Sequence, residues 1–140
     1  MNEHYPLDLT LRIDWSEMDL FGHVNNVSYF KYVQAARVNY WEHIGLTQLH
    51  PAKNTGAMLA STACEFKRPL FYPGNVIIRS RVDFMKTTSF GIRHQLLNDK
   101  QELCGEARDI VVVFDFNTQL KTAIPDEIRK KITETEGRSF

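Results

Sequence analysis

Asp19 is followed by Leu20-Phe21-Gly22-His23-Val24-Asn25-Asn26, and then by a long, mostly apolar segment with helical spacing. The order sets a carboxylate just ahead of a helix N-terminus, across a turn that contains glycine. The first amides of a helix lack intrahelical acceptors and carry a partial positive charge. Such a terminus receives an anion, including one that develops only in a transition state. A carboxylate beside it points to attack on a carbonyl, either directly or by activating a water. On spacing alone, an Asx-turn that steadies the loop before Gly22 is the favoured role for Asp19. Asn26 offers a backbone N–H to the carbonyl oxygen, or serves as a simple N-cap; the two roles are compatible. His23 is a second polar group of the site, or a turn residue that orients Asp19.

These residues need a framework, and the chain supplies alternating and helical segments in order. Leu7 to Trp15 alternates as a half-buried strand. From Asn26 to about Ile44 the spacing is helical, with Phe30, Val33, Arg37, Tyr40, Trp41 and Ile44 on one stripe. Apolar residues cover most of the other side too, which predicts a buried helix. Asn25 or Asn26 caps its start and Gly45 its end. Gln48 to Gly56, with Pro51, reads as a loop. Strands follow at Ala57–Lys67, Val76–Phe84, Ser89–Leu97 and Glu102–Phe116, joined largely by hairpins. Ile110 to Phe114 reads as buried on both faces. Pro125 opens a short last helix, and the polar tail from about Thr133 is expected to fray. The pattern predicts an α+β fold in one domain, 1–140: a five-stranded antiparallel sheet wrapped around one long central helix. Such a sheet leaves edges, and a second copy is the obvious cover.

The totals narrow the function further. Lys plus Arg and Asp plus Glu number 17 each, so the formal net charge is zero. A nucleic-acid binder carries a basic excess or stripe, and none is present. A small anionic ligand can still meet a local basic cluster. Cys64 and Cys104 form no CxxC and read as buried reduced thiols. His43, His50 and His94 have no metal-ligand spacing, so no metal is expected. His94, on an apolar strand face, reads as a satisfied core or interface histidine. Met1 to Pro6 has no apolar leader segment, and no run is long enough to span a bilayer. No membrane partner is expected, and the cytoplasm is the expected location.

Several spaced matches carry a family resemblance. They are Asp19-Leu20-Phe21-Gly22-His23-Val24-Asn25-Asn26 with Tyr29, Tyr32 and Ala36-Arg37; Phe66-Lys67-Arg68-Pro69-Leu70 before Pro73-Gly74; Thr88-Ser89; and Ile124-Pro125-Asp126-Glu127-Ile128-Arg129. From about Leu9 to Ile132 the chain resembles the hotdog-fold thioesterases, in the 4-hydroxybenzoyl-CoA thioesterase-like branch. The resemblance implies a sheet-wrapped helix, a homodimer with a continuous sheet or a homotetramer, and active sites at the dimer interface. It implies hydrolysis of acyl-CoA to free acid and coenzyme A, with Asp19 catalytic, Asn26 and His23 beside it, and Thr88 and Ser89 at the substrate. No cofactor is implied, coenzyme A being part of the substrate. Some members carry His where this chain has Asn26, and Tyr where it has Trp15.

Coenzyme A ends in phosphates, which need basic partners at the pocket mouth. Arg68 and Lys86 are the best placed in sequence. Tyr29, Tyr32, Tyr40 and Trp41 are core or line an acyl tunnel. An acyl-carrier-protein thioesterase and a non-catalytic acyl-CoA-binding regulator are the rival readings. A hydratase or dehydratase would pair a His with an acid, and His23 and Asp19 lie too close in the chain for that arrangement.

Overall fold

A computed structural model describes residues 3–49 and 53–140; Met1, Asn2, His50, Pro51 and Ala52 lie outside them. The chain forms β1 (Leu7–Arg12), a 3-10 turn (Trp15–Glu17), helix α1 (Asn26–His43), a second 3-10 turn (Leu46–Gln48), β2 (Thr55–Phe66), β3 (Asn75–Met85), β4 (Ser89–Leu97), β5 (Leu103–Asp115), β6 (Leu120–Lys121) and helix α2 (Asp126–Glu136). Every strand pairing is antiparallel, and the sheet runs β1-β3-β4-β5-β2, with β6 against the end of β5. Both β1 and β2 are therefore edges. In β3 the alternate residues Val76, Ile78, Ser80 and Val82 are buried, and α1 packs on that side. This is the hotdog arrangement expected from the sequence, with the two-residue β6 added.

Several expectations shift. β1 stops at Arg12, because Asp14 turns the chain by capping the 3-10 turn in a box with Glu17. The buried stripe of α1 runs through Tyr29, Tyr32, Val33, Ala36, Arg37 and Tyr40, and Phe30 lies off it. Val27, Phe30, Lys31 and Gln34 form an exposed flank, so the helix is not covered all round. Val33, Arg37, Tyr40 and Ile44 of the expected stripe are buried, and only its borders Phe30 and Trp41 are not, since the period fixes a stripe's centre better than its margins. Ile110 is 40% exposed and β5 alternates, because a helix covers only one face of the sheet. The polar end does not simply fray. α2 continues to Glu136, which is buried and accepts hydrogen bonds from the Tyr40 hydroxyl (2.5 Å) and the Val82 N–H (2.8 Å).

A polar belt crosses the core and divides its apolar residues into two clusters. Thr62 pairs with Asp109 across β2 and β5, and Ser80 with His94 across β3 and β4. Asp109 accepts from Arg37 Nε (2.9 Å) and the Arg37 terminal nitrogen (3.2 Å), from Thr62 Oγ1 (2.7 Å), and lies 2.8 Å from His94 Nε2. His94 Nδ1 meets Ser80 Oγ at 2.8 Å. Burial alone would raise the Asp109 carboxyl; hydrogen bonds from His94, Arg37 and Thr62 outweigh it and hold it below the usual carboxylate range. Ser80, His94 and Asp109 do not form a hydrolytic triad. All three are sealed from solvent, and the ring nitrogens face the opposite partners from those a triad needs.

Candidate active site

Glu17 builds the entry to α1. Its buried carboxylate accepts from Asp14 N (2.8 Å) and the Tyr32 hydroxyl (2.8 Å), and pairs with Lys31 (3.2 Å). Its carbonyl accepts from both the backbone N–H and the side-chain amide of Asn25, each at 2.9 Å. Burial would raise the Glu17 carboxyl, but these donors bring it below its ordinary value. The following loop closes through a bridge between Met18 and Val24, and Asp19 N donates to His23 O (2.6 Å). Gly22 sits at φ 81°, a left-handed conformation that favours glycine.

Within this loop the two oxygens of Asp19 have different fates. Oδ1 accepts from Phe21 N (2.8 Å) and His23 N (3.0 Å), an Asx-type turn. Oδ2 has no hydrogen-bond partner among the described residues, and the side chain is exposed. The expected turn role is thus present and leaves one oxygen free.

The start of α1 lies beside it. Asn25, rather than Asn26, is the cap, and its side chain accepts from Ser28 N (2.8 Å). Asn26 is the first helical residue, so its N–H has no intrahelical acceptor. Asp19, His23, Asn26, Tyr29, Lys67 and Arg68 line one cavity of about 250 Å³. The Tyr29 hydroxyl donates to Arg68 O (2.8 Å), and burial pushes it up to about 12, so it stays neutral. The His23 ring stacks edge-on to Phe71 at 5.2 Å. Its backbone, on both sides, holds Asp19 in the turn. On its other side Asp19 lines a second cavity, about 510 Å³, with Trp15, Met18, Leu20 and Tyr72.

The expected substrate-binding residues separate. Arg68 lines the Asp19 cavity, paired to Glu102 at 3.4 Å. Lys86, Thr88 and Ser89 do not join it within one chain. They sit where β4 begins, and the Asp19 cavity lies toward the end where β4 finishes. Nine residues of strand span about 30 Å. There the Lys86 ammonium lies over the Phe84 ring at 5.3 Å, and its carbonyl accepts from Arg129. Thr88 O accepts from Val113 N at 2.9 Å. Sequence reading missed Glu17 and Lys67 as site residues. The Asp14-to-Glu17 spacing is a capping-box signal that reveals the first. Lys67 neighbours Arg68 in a matched segment.

Other chemistry finds little support. Both cysteines are free; Cys104 is buried as expected and Cys64, on the edge strand β2, only half-buried, and burial pushes the Cys64 thiol up to about 11 and raises that of Cys104. Neither is a ready thiolate. Among the described residues no group of three or more His, Cys, Asp or Glu is arranged to hold a metal. No described helix is long and apolar enough to cross a membrane.

Comparison with known proteins finds relatives along most of the chain. A family model described as the thioesterase-like superfamily matches residues 13–132. The chloroplastic acyl-acyl carrier protein thioesterase ATL3 of Arabidopsis thaliana is 29% identical over 133 residues, 94% of this chain and 68% of its own. The long-chain acyl-CoA thioesterase FadM of Escherichia coli is 24% identical over 126 residues, 89% of this chain and 95% of its own. A Thermus thermophilus thioesterase crystallised with coenzyme A and zinc superposes with a TM-score of 0.85 at 22% identity, covering 99% of this chain and 100% of its own. At that identity the structural likeness carries the fold alone.

Proposed function

The chain belongs to the thioesterase-like superfamily, a family of thioester hydrolases, and we propose that it hydrolyses acyl-CoA to a free acid and coenzyme A at Asp19. One observation carries this reading: Asp19 Oδ1 is tied down by two backbone amides, while Oδ2 is free beside the unpaired N–H of Asn26. In the reaction, Oδ2 takes a proton from water as the water oxygen attacks the thioester carbon, or attacks that carbon itself and forms an acyl anhydride on Asp19, which water then cleaves to release the acid and restore the carboxylate. The carbonyl oxygen gains negative charge and is received by the Asn26 N–H at the positive end of α1. One such donor lowers the barrier by about 3 kcal/mol. The tetrahedral species then collapses, the C–S bond breaks, and coenzyme A leaves as its thiol after regaining a proton. His23 acts through its backbone, which fixes the carboxylate. The mechanism needs no metal or redox cofactor, and a cytoplasmic setting is part of the reading.

The working unit in this reading is a homodimer formed through β2. That edge strand has twelve residues, mostly exposed, and the exposed flank of α1 at Val27 and Phe30 continues it through Phe66. An unpaired edge of that length invites a partner strand. Val112 pairs with both Met58 and Ser89, so Ser89 belongs to the row near the Thr55 end of β2. The Asp19 cavity lies at the Phe66 end. A two-fold axis pairing β2 with its copy sets one end against the other. It thereby brings Ser89 of the partner subunit toward Asp19, which reunites residues that one chain keeps apart.

Thiol release from a panel of acyl-CoA thioesters tests the activity, and light scattering tests the dimer. Failure to cleave any acyl-CoA would overturn the assignment. Cleavage of acyl-carrier-protein substrates alone would move it to the chemistry named for the Arabidopsis relative.

A further inference from the structure

We infer that the substrate lies across Asp19 in a fixed direction: its coenzyme A half enters the Lys67–Arg68 cavity and its acyl chain lies in the Trp15–Leu20–Tyr72 groove. The inference rests on the thioesterase reading and adds which surface selects the acyl chain.

Asp19 is the residue shared by the two cavities, and the cavities differ in character. The smaller carries two cations, Lys67 paired to Glu65 at 3.3 Å and Arg68 paired to Glu102 at 3.4 Å, both exposed enough to turn to a phosphate, with His23 beside them. The larger is lined by Trp15, Met18, Leu20 and Tyr72 together with Ser16 and Gly22, and has no charged side chain other than Asp19 itself. An acyl-CoA is asymmetric in the same way about its carbonyl carbon. One arm is polar and ends in phosphates, and the other is hydrocarbon. Charge complementarity therefore fixes the orientation.

Exposure supports the same occupant. Trp15 is 72% and Leu20 92% exposed, although both are large and apolar. Contiguous exposed apolar side chains around a reactive group mark a binding surface more often than chance. The groove is also pre-formed. Its walls come from the loop before α1 and from the β2–β3 connection, and these are pinned together by Ile13 N to Gly74 O and Val24 N to Leu70 O, both 2.9 Å. At about 510 Å³ it falls in the range of ligand sites. The dimer proposed above docks through β2, which borders the smaller cavity at Phe66 and contributes nothing to this groove, so the groove is left to the acyl chain.

The test compares kcat/KM for butanoyl-, decanoyl- and hexadecanoyl-CoA in wild type, Trp15→Ala, Leu20→Ser and Tyr72→Ala. The long-to-short ratio should fall about tenfold or more in the groove variants; losing contact with about two methylenes suffices for that. Arg68→Glu should lower all three substrates alike and keep the ratio. Leu20 is so exposed that Leu20→Ser should fold normally, which circular dichroism checks. An unmoved ratio in an active, folded Leu20→Ser and Trp15→Ala would overturn the inference. So would an unmoved ratio joined to a loss of mass in light scattering, which would make the patch an interface between copies. Failure of the thioesterase reading is visible separately, because wild type would then release thiol from none of the three.

Discussion

Asp19→Asn separates the two duties of this side chain. The substitution is isosteric, and the amide oxygen can keep the hydrogen bonds that Phe21 N and His23 N now make to Oδ1. The loop should therefore hold, at a cost below about 1 kcal/mol. Asp19→Ala instead removes both acceptor contacts, each worth roughly 0.5–1.5 kcal/mol, and should loosen the turn. The free Oδ2 becomes an NH₂ group in the Asn variant and can neither take a proton nor attack a carbon. General base catalysis of this kind contributes about 10²–10⁴-fold, or roughly 3–5.5 kcal/mol of barrier. The assay is thiol release under single-turnover conditions, with a urea midpoint measured on the same samples. The expected pair of results is a large loss in the single-turnover rate constant with an almost unchanged midpoint. A variant that hydrolyses acyl-CoA within about threefold of wild type would refute the assignment of Asp19, and a collapsed midpoint would show the residue to be structural.

Other consequences follow from the same geometry. Arg68→Glu should raise KM for acyl-CoA more than it lowers kcat, since phosphate contacts are alike in ground and transition states; an equal effect on acyl-pantetheine, which lacks the nucleotide, would deny that role. Lys86→Glu should show the same pattern only in the dimer, because Lys86 is remote from Asp19 within one chain; identical kinetics for wild type and variant would remove it from the site. Activity should survive EDTA, and a loss restored by zinc would count against carboxylate chemistry alone. Asp109→Asn should cost about 3–5 kcal/mol near neutrality by leaving Arg37 buried and unpaired. Because the native Asp109 carboxyl is held low, its contribution is complete above the unfolded value of about 3.9 and fades as pH falls toward the folded value. Urea midpoints below about pH 4 should therefore fall less steeply in the variant; parallel slopes would mean that Asp109 titrates alike in both states.

Much of this was legible in the residues because the signals were local. Asp19, Gly22 and the Asn pair mark a turn and a helix start wherever they occur, and the period of β3 and β4 marks one buried face. What stayed hidden depends on which elements meet. Tyr29 and Phe30 both border the buried stripe of α1, so only the sheet's position could choose Tyr29 over Phe30. Thr88 and Ser89 open the expected strand, but distance from Asp19 is a property of topology, and no spacing in the chain reports it. Ile110 reads as doubly buried until the sheet is known to carry its helix on one side alone. Glu136 lies in a polar tail whose only clue is that the buried Tyr40 hydroxyl needs an acceptor.

The polar belt is the clearest case of a feature that sequence states only as a debt. Arg37 sits within the buried stripe of α1, and a buried guanidinium requires a carboxylate. Asp109, just before the apolar run of β5 and buried with it, carries the reciprocal requirement. Neither names the other, because 72 residues separate them. Register brings them together: Thr62 faces Asp109 across one pair of strands, and Ser80 faces His94 across another. A slip of one residue in any of those strands would turn its belt member to the outer face and leave the rest unpaired. An apolar belt could pack as well but would tolerate such a slip more easily. The belt therefore bears on the active site indirectly. It sets the register of β2 against β5, and the position of β2 decides where Phe66, Lys67 and Arg68 stand relative to Asp19.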